Sequence, residues 1–311
     1  MRLSQRGIVL ILVLWILTIL MVLSLSLSYA VKTELMATFA FKEELENKYL
    51  AYAGVERAKL ELVYRKIHRN IEDEAWNDDG TIYDFTDGKS KVSVKITNET
   101  GKIDINYAQE PVLRRLFVNQ GLTEEQAEEI VDCIMDWKDL DDAVRLKGAE
   151  QGYYSSLKNP YKVKNAHLES VDELLFVKGI TRNLLYGGNG KRGIIDLLTI
   201  YSKTPLISIN SAPLEVLKAI PGITHEMAEA IIERRKGKVL QNQLDIKDIL
   251  TDSALEAMKY ISFQKHILYT IESEASSDGK FTYGVRTVIA LQGNNQFTTY
   301  YYKEPAKMRR Q

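Results

Sequence analysis

Residues 6–31 read RGIVLILVLWILTILMVLSLSLSYAV and place Gly7 between a short basic segment and a long apolar run. Residues 8–31 contain no charged residue, proline or glycine. A helix over this run would be about 36 Å long, which is enough to cross the hydrocarbon core of a bilayer. The sequence therefore predicts one transmembrane helix near the N-terminus.

The charges that flank this run predict its orientation. Arg2 and Arg6 are the charged residues before it, and both are positive. Positively charged flanks stay on the cytoplasmic side, so we expect a cytoplasmic N-terminus and an extracytoplasmic chain after Lys32. About 280 residues would lie outside the membrane, which suffices for one large or two ordinary domains.

Gly7 also marks a candidate processing point. Cleavage of a secretory signal follows the apolar run and releases a soluble product. Here the candidate cut lies before the run, between Gly7 and Ile8, and leaves the membrane helix on the mature protein. This arrangement resembles a type IV prepilin leader, cut on the cytoplasmic side. The alternative is an uncleaved anchor in which Gly7 is incidental.

The helical pattern does not stop at the membrane. Apolar residues at three-and-four spacing continue to Leu62, Gly54 is the only helix breaker up to residue 68, and the first proline is Pro111. A helix over residues 8–68 would be about 90 Å long. We expect its outer half to need a domain that covers its apolar stripe. Pilin-like subunits use a helix of this form to bundle into a fibre.

Leu12 departs from the common pilin pattern. It is the fifth residue counted from Ile8, where most pilins and pseudopilins carry Glu. In that family the buried carboxylate pairs with the N-terminal amine of a neighbouring subunit, since an unpaired charge within a bilayer is expensive. An apolar residue here is typical of the K-type minor pseudopilins of type II secretion systems. Chance loss of Glu in another pilin-like protein is the alternative.

Strand patterns flank a long helical region. Residues 89–97 alternate apolar and polar side chains, and residues 266–275, 281–291 and 296–302 read as an antiparallel meander. The predicted fold is α+β: a pilin-like long N-terminal α-helix, a small antiparallel sheet and a large inserted all-α domain containing helix-hairpin-helix-like repeats. The predicted segments are leader 1–7, membrane half-helix 8–31, periplasmic half-helix 32–70, loop and first strand 71–100, insert 101–264 and C-terminal β-meander 265–311.

The insert contains an internal repeat. Residues 103–108 (IDINYA) match residues 207–212 (ISINSA), and each copy then reaches a turn glycine, Gly121 or Gly222. Residues 173–181 are an arguable third copy. Glycine allows positive φ at the turn, and a threonine two residues later caps the next helix. The units resemble helix-hairpin-helix architecture, whose familiar use is binding the DNA backbone.

Charge argues against that use here. Four basic residues near the second copy suit phosphate contacts: Arg234, Arg235, Lys236 and Lys238. Four acidic residues at the equivalent helix of the first copy repel phosphate: Glu124, Glu125, Glu128 and Glu129. The net charge is −1, and it becomes −3 once Arg2 and Arg6 are removed with the leader. We therefore interpret the repeats as a packing device and disfavour nucleic acid as a partner.

An acidic loop follows the first repeat. Its carboxylates lie on a turn rather than a helix face, and such a set can wrap a hard cation. The spacing is not that of an EF-hand, so a solvated acidic turn is the alternative. Residues 136–141 and 148–154 resemble patterns of K-type pseudopilins, which implies a calcium site. The implied ligands are Asp139, Asp141, Asp142 and Glu150, with Asp136 and backbone carbonyls as helpers.

The resemblance to K-type minor pseudopilins covers nearly the whole chain. It implies a non-enzymatic tip subunit that starts or caps the pseudopilus. The subunit would be anchored in the inner membrane, and the chain after Lys32 would form its periplasmic part, the head. The implied partners are I-type and J-type minor pseudopilins, the major pseudopilin, prepilin peptidase and the inner-membrane secretion platform. A membrane-anchored DNA receptor of a competence system is the alternative. An anchored enzyme lacks support, since the four histidines (His68, His167, His225 and His266) are scattered.

Overall fold

A computed structural model describes residues 5–68, 76–188, 190–250, 252–264, 267–277 and 281–309, with side chains except those of 5–7, 191 and 252–255. Residues 1–4 of the predicted leader and 71–75 of the predicted loop lie outside these ranges. So do His266, at the start of a predicted strand, and residues 278–280 of the turn that follows.

The first element is a single long helix, α1, over Gln5–Ile67. In the described part of the chain, it is the one helix whose length and composition suit a membrane span. Residues 8–42 are exposed throughout, although most are apolar. Such a surface requires lipid or neighbouring helices to cover it. The predicted long N-terminal helix is confirmed, and it fits a single-pass membrane anchor.

The elements after α1 form a sheet and a helical insert. The strands are β1 Asp79–Asp87, β2 Ser90–Asn98, β3 Ile103–Asp104, β4 Gly187–Gly188, β5 Lys191–Arg192, β6 Leu198–Thr199, β7 Ile207–Ser208, β8 Ile261–Ser262, β9 Leu268–Ser276, β10 Thr282–Leu291 and β11 Phe297–Lys303. The α-helices are α2 Glu110–Asn119, α3 Glu124–Lys138, α4 Gln151–Ser155, α5 Arg182–Tyr186, α6 Leu214–Ala219 and α7 His225–Gly237. The 3₁₀ helices are Glu99–Gly101, Val171–Phe176, Ile194–Asp196, Gln243–Ile246 and Asp252–Lys259.

The antiparallel sheet has the order β1-β2-β9-β10-β11 and contains one strand more than the sequence indicated. The extra strand, β1, occupies part of the segment predicted as a loop. Asp84 and Asp87 disguise it, because they interrupt an apolar alternation. An edge strand tolerates such residues, since charges there discourage pairing with other chains.

One face of the sheet packs on the outer half of α1. The helix contributes Ala51, Val55, Ala58 and Leu62 to a core shared with β2, β9 and β10. Gly54 sits within this contact, where a Cβ would overlap the Ser273 hydroxyl and lie 2.9 Å from Val94 Cγ2. Gly54 is therefore the point of closest approach between helix and sheet rather than a break in the helix.

Gly54→Ala is expected to destabilise the folded head by about 1–3 kcal/mol, because overpacking forces the helix away from the sheet. Gly237→Ala is the matched control, since Gly237 also lies in a helix but has no atom near its Cβ position. Chemical denaturation of the full chain in detergent checks both variants. Equal stability of the two variants would contradict the close approach.

The insert lies between β2 and β9 in the chain and has its own core. It is helical but also holds the two-residue pairs β3-β6, β4-β5 and β7-β8. Strands this short produce no readable alternation, so periodicity did not predict them. The β3-β6 and β7-β8 pairs are both parallel, and they place the two copies of the repeat in equivalent settings.

The repeated asparagines explain why the two copies share a motif. The Asn106 side chain donates to Leu168 O over 2.9 Å and accepts from Leu168 N over 2.8 Å. Asn210 makes the same pair of bonds to Leu240, at 2.9 Å each. Each amide therefore satisfies both backbone groups of one distant residue and fastens the loop that follows the hairpin.

The hairpin turns have the predicted chemistry in all three copies. Gly121, Gly179 and Gly222 adopt φ values of 96°, 86° and 85°, a region that favours glycine. The threonine two residues later caps the following helix in each copy: Thr123, Thr181 and Thr224. The arguable third copy therefore shares this turn and cap, although its second helix, α5, has only 5 residues.

Candidate functional site

The acidic loop begins at the C-terminal end of α3. Asp136 lies in the last turn of this helix and is completely buried, and Asp139 is the residue that ends it. Glu150 precedes α4 and is 4 % exposed. Its Oε2 accepts a bond from Gln151 N over 3.3 Å. The two helix ends therefore aim three carboxylates into one region.

Buried oxygens without partners mark this region. Seven buried side-chain polar atoms among the described residues lack a hydrogen bond, and four of them lie in or beside this loop. Three of these four belong to the loop itself, Asp136 Oδ1, Asp139 Oδ1 and Glu150 Oε1, and the fourth is Asn165 Oδ1, from a later segment that lies beside the loop. Leaving a buried acceptor unsatisfied costs about 1–3 kcal/mol, and more for a charged group. Carboxylate and amide oxygens are the ligands that a hard cation prefers.

The electrostatics agree with this placement. Burial raises the pKa of Asp136, Asp139 and Glu150 above its usual range. Neighbouring carboxylates raise these pKa values further: Asp139 acts on Asp136, and Asp141 acts on Asp139. A carboxylate whose pKa is raised in the folded state lowers the free energy of unfolding as pH rises from its unfolded-state pKa to its folded-state pKa. A bound divalent cation would offset this repulsion at neutral pH.

The other two predicted ligands, Asp141 and Asp142, are exposed and lie beside an unpredicted residue, Asn165. The Asp141 side chain accepts from Ala143 N over 2.9 Å. The Asn165 amide donates to Asp141 O over 3.1 Å and to Asp142 Oδ1 over 3.0 Å. Asn165 has φ 46°, a left-handed conformation that Asn tolerates. Its sequence neighbourhood gave no signal of this role.

The cluster is not a closed cage of carboxylates. Within the part of the chain that is described, no three His, Cys, Asp or Glu side chains stand together as metal ligands. The four buried oxygens without hydrogen bonds belong instead to three carboxylates and one amide. Calcium accepts 6–8 oxygen ligands of mixed kind in flexible geometry, whereas zinc requires a tighter set of N and S ligands. The types of donor atom present are those that calcium prefers, and calcium binding at this loop stays a prediction.

Gly148 permits this arrangement. A Cβ at Gly148 would overlap the Asp136 carboxylate, which is buried and has no free space to enter. Arg145 contacts the same carboxylate, with Nε 3.6 Å from Asp136 Oδ1. Its Nη1 donates to Glu110 Oε1 over 2.7 Å.

The basic residues of the second repeat are occupied within the chain. Arg235 donates to Ile209 O over 2.9 Å and to Ala212 O over 2.7 Å. The other three pair with carboxylates: Arg234 with Asp248, Lys236 with Glu233 and Lys238 with Asp245. Phosphate contacts would have to displace these partners, so the DNA-receptor alternative gains no support.

Outside the acidic loop, three histidines and Cys133 are held by contacts that serve the fold. His68 stacks on Tyr64, His167 meets the edge of Tyr107, and His225 Nε2 lies 3.3 Å from Glu229 Oε1. Burial raises the pKa of the Cys133 thiol to about 12, which leaves it unreactive at neutral pH. His266 lies outside the described residues.

The predicted processing residues lie at the start of α1, in the apolar part that we call the membrane stem. Gly7 and Ile8 both fall within α1. Leu12 is 57 % exposed, with apolar neighbours along the whole surrounding surface. This end of α1 therefore offers no carboxylate that could meet a neighbouring amine.

Comparisons with known proteins agree on one family. The first-domain model of type II secretion system protein K matches residues 92–186. Protein K of Pectobacterium carotovorum subsp. carotovorum is 23 % identical over 258 residues, 76 % of either chain. The putative protein K of Escherichia coli K12 is 23 % identical over 254 residues, 75 % of either chain.

A solved structure shares the fold. The crystal structure of the GspK-GspI-GspJ complex from enterotoxigenic E. coli includes a chain that superimposes with a TM-score of 0.67 at 14 % identity. The match covers 87 % of this chain and 100 % of that chain. In sequence and in fold the chain is therefore similar to protein K of type II secretion systems, a minor pseudopilin.

Proposed function

We propose that this minor pseudopilin is the tip subunit of a type II secretion pseudopilus. It would start or cap the fibre together with I-type and J-type minor pseudopilins and thereby serve protein export across the outer membrane. Its role would be structural rather than catalytic. The single observation that carries the proposal is Leu12, which removes the acid that a subunit inside the fibre would use.

Leu12 supports the tip position through the energetics of membrane charge. A carboxylate at this depth is stabilised only where a neighbouring subunit offers a positive partner. A subunit with no neighbour above it gains nothing from the acid. A leucine is therefore the favourable residue at a fibre end, and it is the less favourable one at an internal position.

The insert supports the same position through its size. It spans residues 101–264, more than half of the chain outside the membrane. It meets the face of the sheet that α1 leaves free, where Tyr201 lies 6.5 Å from Tyr301 between ring centroids. The C-terminal tail reinforces this junction, since Arg309 pairs with Asp196 over 3.0 Å. A subunit placed above this one in the fibre would overlap sterically with the insert.

Assembly would begin with maturation in the inner membrane. The basic leader would keep the N-terminus cytoplasmic. Prepilin peptidase would cut between Gly7 and Ile8 and methylate the new amine. The stem would then pass from lipid into a bundle with the I-type, J-type and major pseudopilins, at the inner-membrane secretion platform.

Intact-mass analysis of the protein from a host with its own peptidase checks the maturation step. The expected mass lacks residues 1–7 and carries one methyl group. Gly7→Asp is expected to retain the leader, because the peptidase of this family requires a small residue before the cut. A native protein that keeps residues 1–7 would contradict the maturation step.

We further propose that calcium stabilises the head at the acidic loop. The buried ligands would be Asp136, Asp139 and Glu150, with Asn165 as an added oxygen donor. Asp141 and Asp142 would lie at the exposed side of the site. The calcium would supply positive charge to a buried cluster of carboxylates and would hold α3, α4 and the loop between them in one arrangement.

Calorimetry of the full chain in detergent, freed of metal by a chelator, checks this proposal. Calcium is expected to bind and to raise the melting temperature, and Asp139→Ala is expected to weaken binding about tenfold or more. Asp87→Asn is the control, because Asp87 is an exposed acid on β1. Absence of heat and of a thermal shift in the unaltered protein would contradict the calcium site.

Co-expression with I-type and J-type pseudopilins of the same organism tests the assembly role. A three-way complex is expected to purify as one species through a tag on any member. Recovery of each protein alone, with the heads shown to be folded, would contradict it.

A further inference from the structure

Arg145 touches the candidate calcium site from the loop that closes it. Its backbone N donates to Asp136 Oδ2 over 3.3 Å, and its Nε lies 3.6 Å from Asp136 Oδ1. Asp136 Oδ1 is one of the four buried oxygens that lack a hydrogen bond. The same guanidinium reaches Glu110 Oε1, at 2.7 Å from Nη1. One cation therefore bridges two carboxylates, one inside the site and one outside it.

We propose that Arg145 is an internal competitor of calcium and sets the affinity of the site. The inference rests on the calcium site proposed above. Without calcium, the guanidinium supplies the positive charge beside Asp136. Calcium takes over the Asp136 carboxylate, and the guanidinium withdraws fully to Glu110.

The competition follows from charge and geometry. The guanidinium and the calcium ion would both be drawn to Asp136 Oδ1, a buried oxygen without a hydrogen bond. Two positive charges within a few ångströms of each other repel in a partly buried setting, where water screens them weakly. Calcium must therefore displace the guanidinium before it reaches its full set of oxygens.

Glu110 gives the displaced group a place to go. It is the first residue of α2, and the Arg145 side chain already contacts it. Arg145 and Glu110 are each 39 % exposed at the side chain, whereas Asp136 is fully buried. Motion from Asp136 toward Glu110 is therefore a short move toward solvent, in which the guanidinium gives up its 3.6 Å approach to Asp136 Oδ1 and keeps its bond to Glu110.

The side chain of Arg145 can make this move without a shift of its backbone. Residues 140–146 are all exposed, including Leu140 at 87 % and Leu146 at 94 %. The backbone stays anchored by Arg145 N, which donates to Asp136 Oδ2 over 3.3 Å, and by Lys147 N, which donates to Asp132 Oδ2 over 3.1 Å. No apolar side chain in this exposed stretch has to leave a core when the guanidinium shifts.

Two variants with opposite expected signs test the proposal. Calcium titrations of the full chain in detergent compare Arg145→Gln, Glu110→Gln and the double variant. Arg145→Gln is expected to bind calcium roughly three- to tenfold more tightly, since the competing charge is gone. Glu110→Gln is expected to bind roughly twofold or more weakly, because the displaced arginine loses its acceptor. The double variant should match Arg145→Gln, because Glu110 acts only through the arginine.

Arg234→Gln is the matched control, because it removes the same charge from a pair with Asp248 in the other repeat. It is expected to leave calcium affinity unchanged. Weaker or unaltered binding in Arg145→Gln would overturn the competition and assign Arg145 a purely structural role, while the calcium site itself would stand. A lack of calcium binding in the unaltered protein would instead remove the site and the competition together.

Discussion

Glu272→Gln is expected to destabilise the head by about 3–5 kcal/mol, the usual cost of breaking a buried charge network from one side. Glu272 lies on the central strand β9, opposite Lys95 of β2 and Arg286 of β10. Lys95 Nζ lies 2.5 Å from Glu272 Oε2, and Arg286 Nε donates to Oε1 over 2.8 Å. Neutralising the one acid leaves two buried cations facing each other.

The pH dependence of this effect has a definite sign. Burial by itself raises the pKa of Glu272, but attraction to Lys95 and Arg286 outweighs it and holds the pKa below the usual 4.5. A lowered carboxylate pKa gives stability that is present above 4.5 and is lost as pH falls through the folded-state pKa. The difference in unfolding free energy between the two proteins should therefore be full at pH 7 and shrink below pH 4.5.

Denaturant titration of the full chain in detergent, followed by circular dichroism, measures both effects. Glu256→Gln is the control, because its exposed pair with Lys259 at 3.7 Å should contribute no more than about 1 kcal/mol. A loss below 1 kcal/mol for Glu272→Gln at neutral pH would show that water screens the network. A difference that grew in acid would contradict the direction of the pKa shift.

Gly148→Ala is expected to remove calcium-dependent stabilisation of the head. The added methyl group would overlap the carboxylate of Asp136, a fully buried residue in the last turn of α3. The carboxylate or the loop must then move, and a site displaced by about 1 Å loses most of its affinity. We expect a loss of roughly 100-fold or more in calcium affinity, together with overpacking that costs about 1–3 kcal/mol.

Gly152→Ala is a close control for this substitution. Gly152 lies four residues further along, in α4, and has no atom within 4 Å of its Cβ position. Alanine there should keep calcium affinity and add slight stability, since alanine favours helix. The measurement is the melting temperature of each variant with and without calcium. Retention of the calcium shift in Gly148→Ala would place the bound ion away from Asp136.

The stem and the repeats could be predicted because local signals define them. The uninterrupted apolar pattern before Lys32 specifies α1, and Gly121 and Gly222 specify turns through their backbone conformation. These features depend on neighbours within a few residues. β1 escaped prediction because Asp84 and Asp87 suit an edge strand but hide its alternation.

The polar architecture could not be read from sequence, since it depends on contacts between distant segments. The repeated Asn106 and Asn210 were visible, but their bonds to Leu168 and Leu240 were not. The buried pairing of Lys95 with Glu272 depends on the register between β2 and β9. Pattern reasoning finds which residue types recur, and only the fold shows what they touch.

The acidic loop was predicted only in part. Family resemblance implied Asp139 and Glu150 as ligands and Asp136 as a helper, and the structure gives each of them a buried unpartnered oxygen. Asn165 and Arg145 were not predicted. Asn165 is far from the loop in sequence, and a single arginine beside acids is ordinary on a protein surface. Whether the cluster binds calcium stays a prediction.

Gold labelling of isolated pseudopili, with the label on the head of this subunit, tests the tip position most directly. The expected image shows gold at one end of each fibre and none along its length. Labels spaced regularly along the fibres would contradict a terminal subunit and would show that neither Leu12 nor the broad insert prevents stacking.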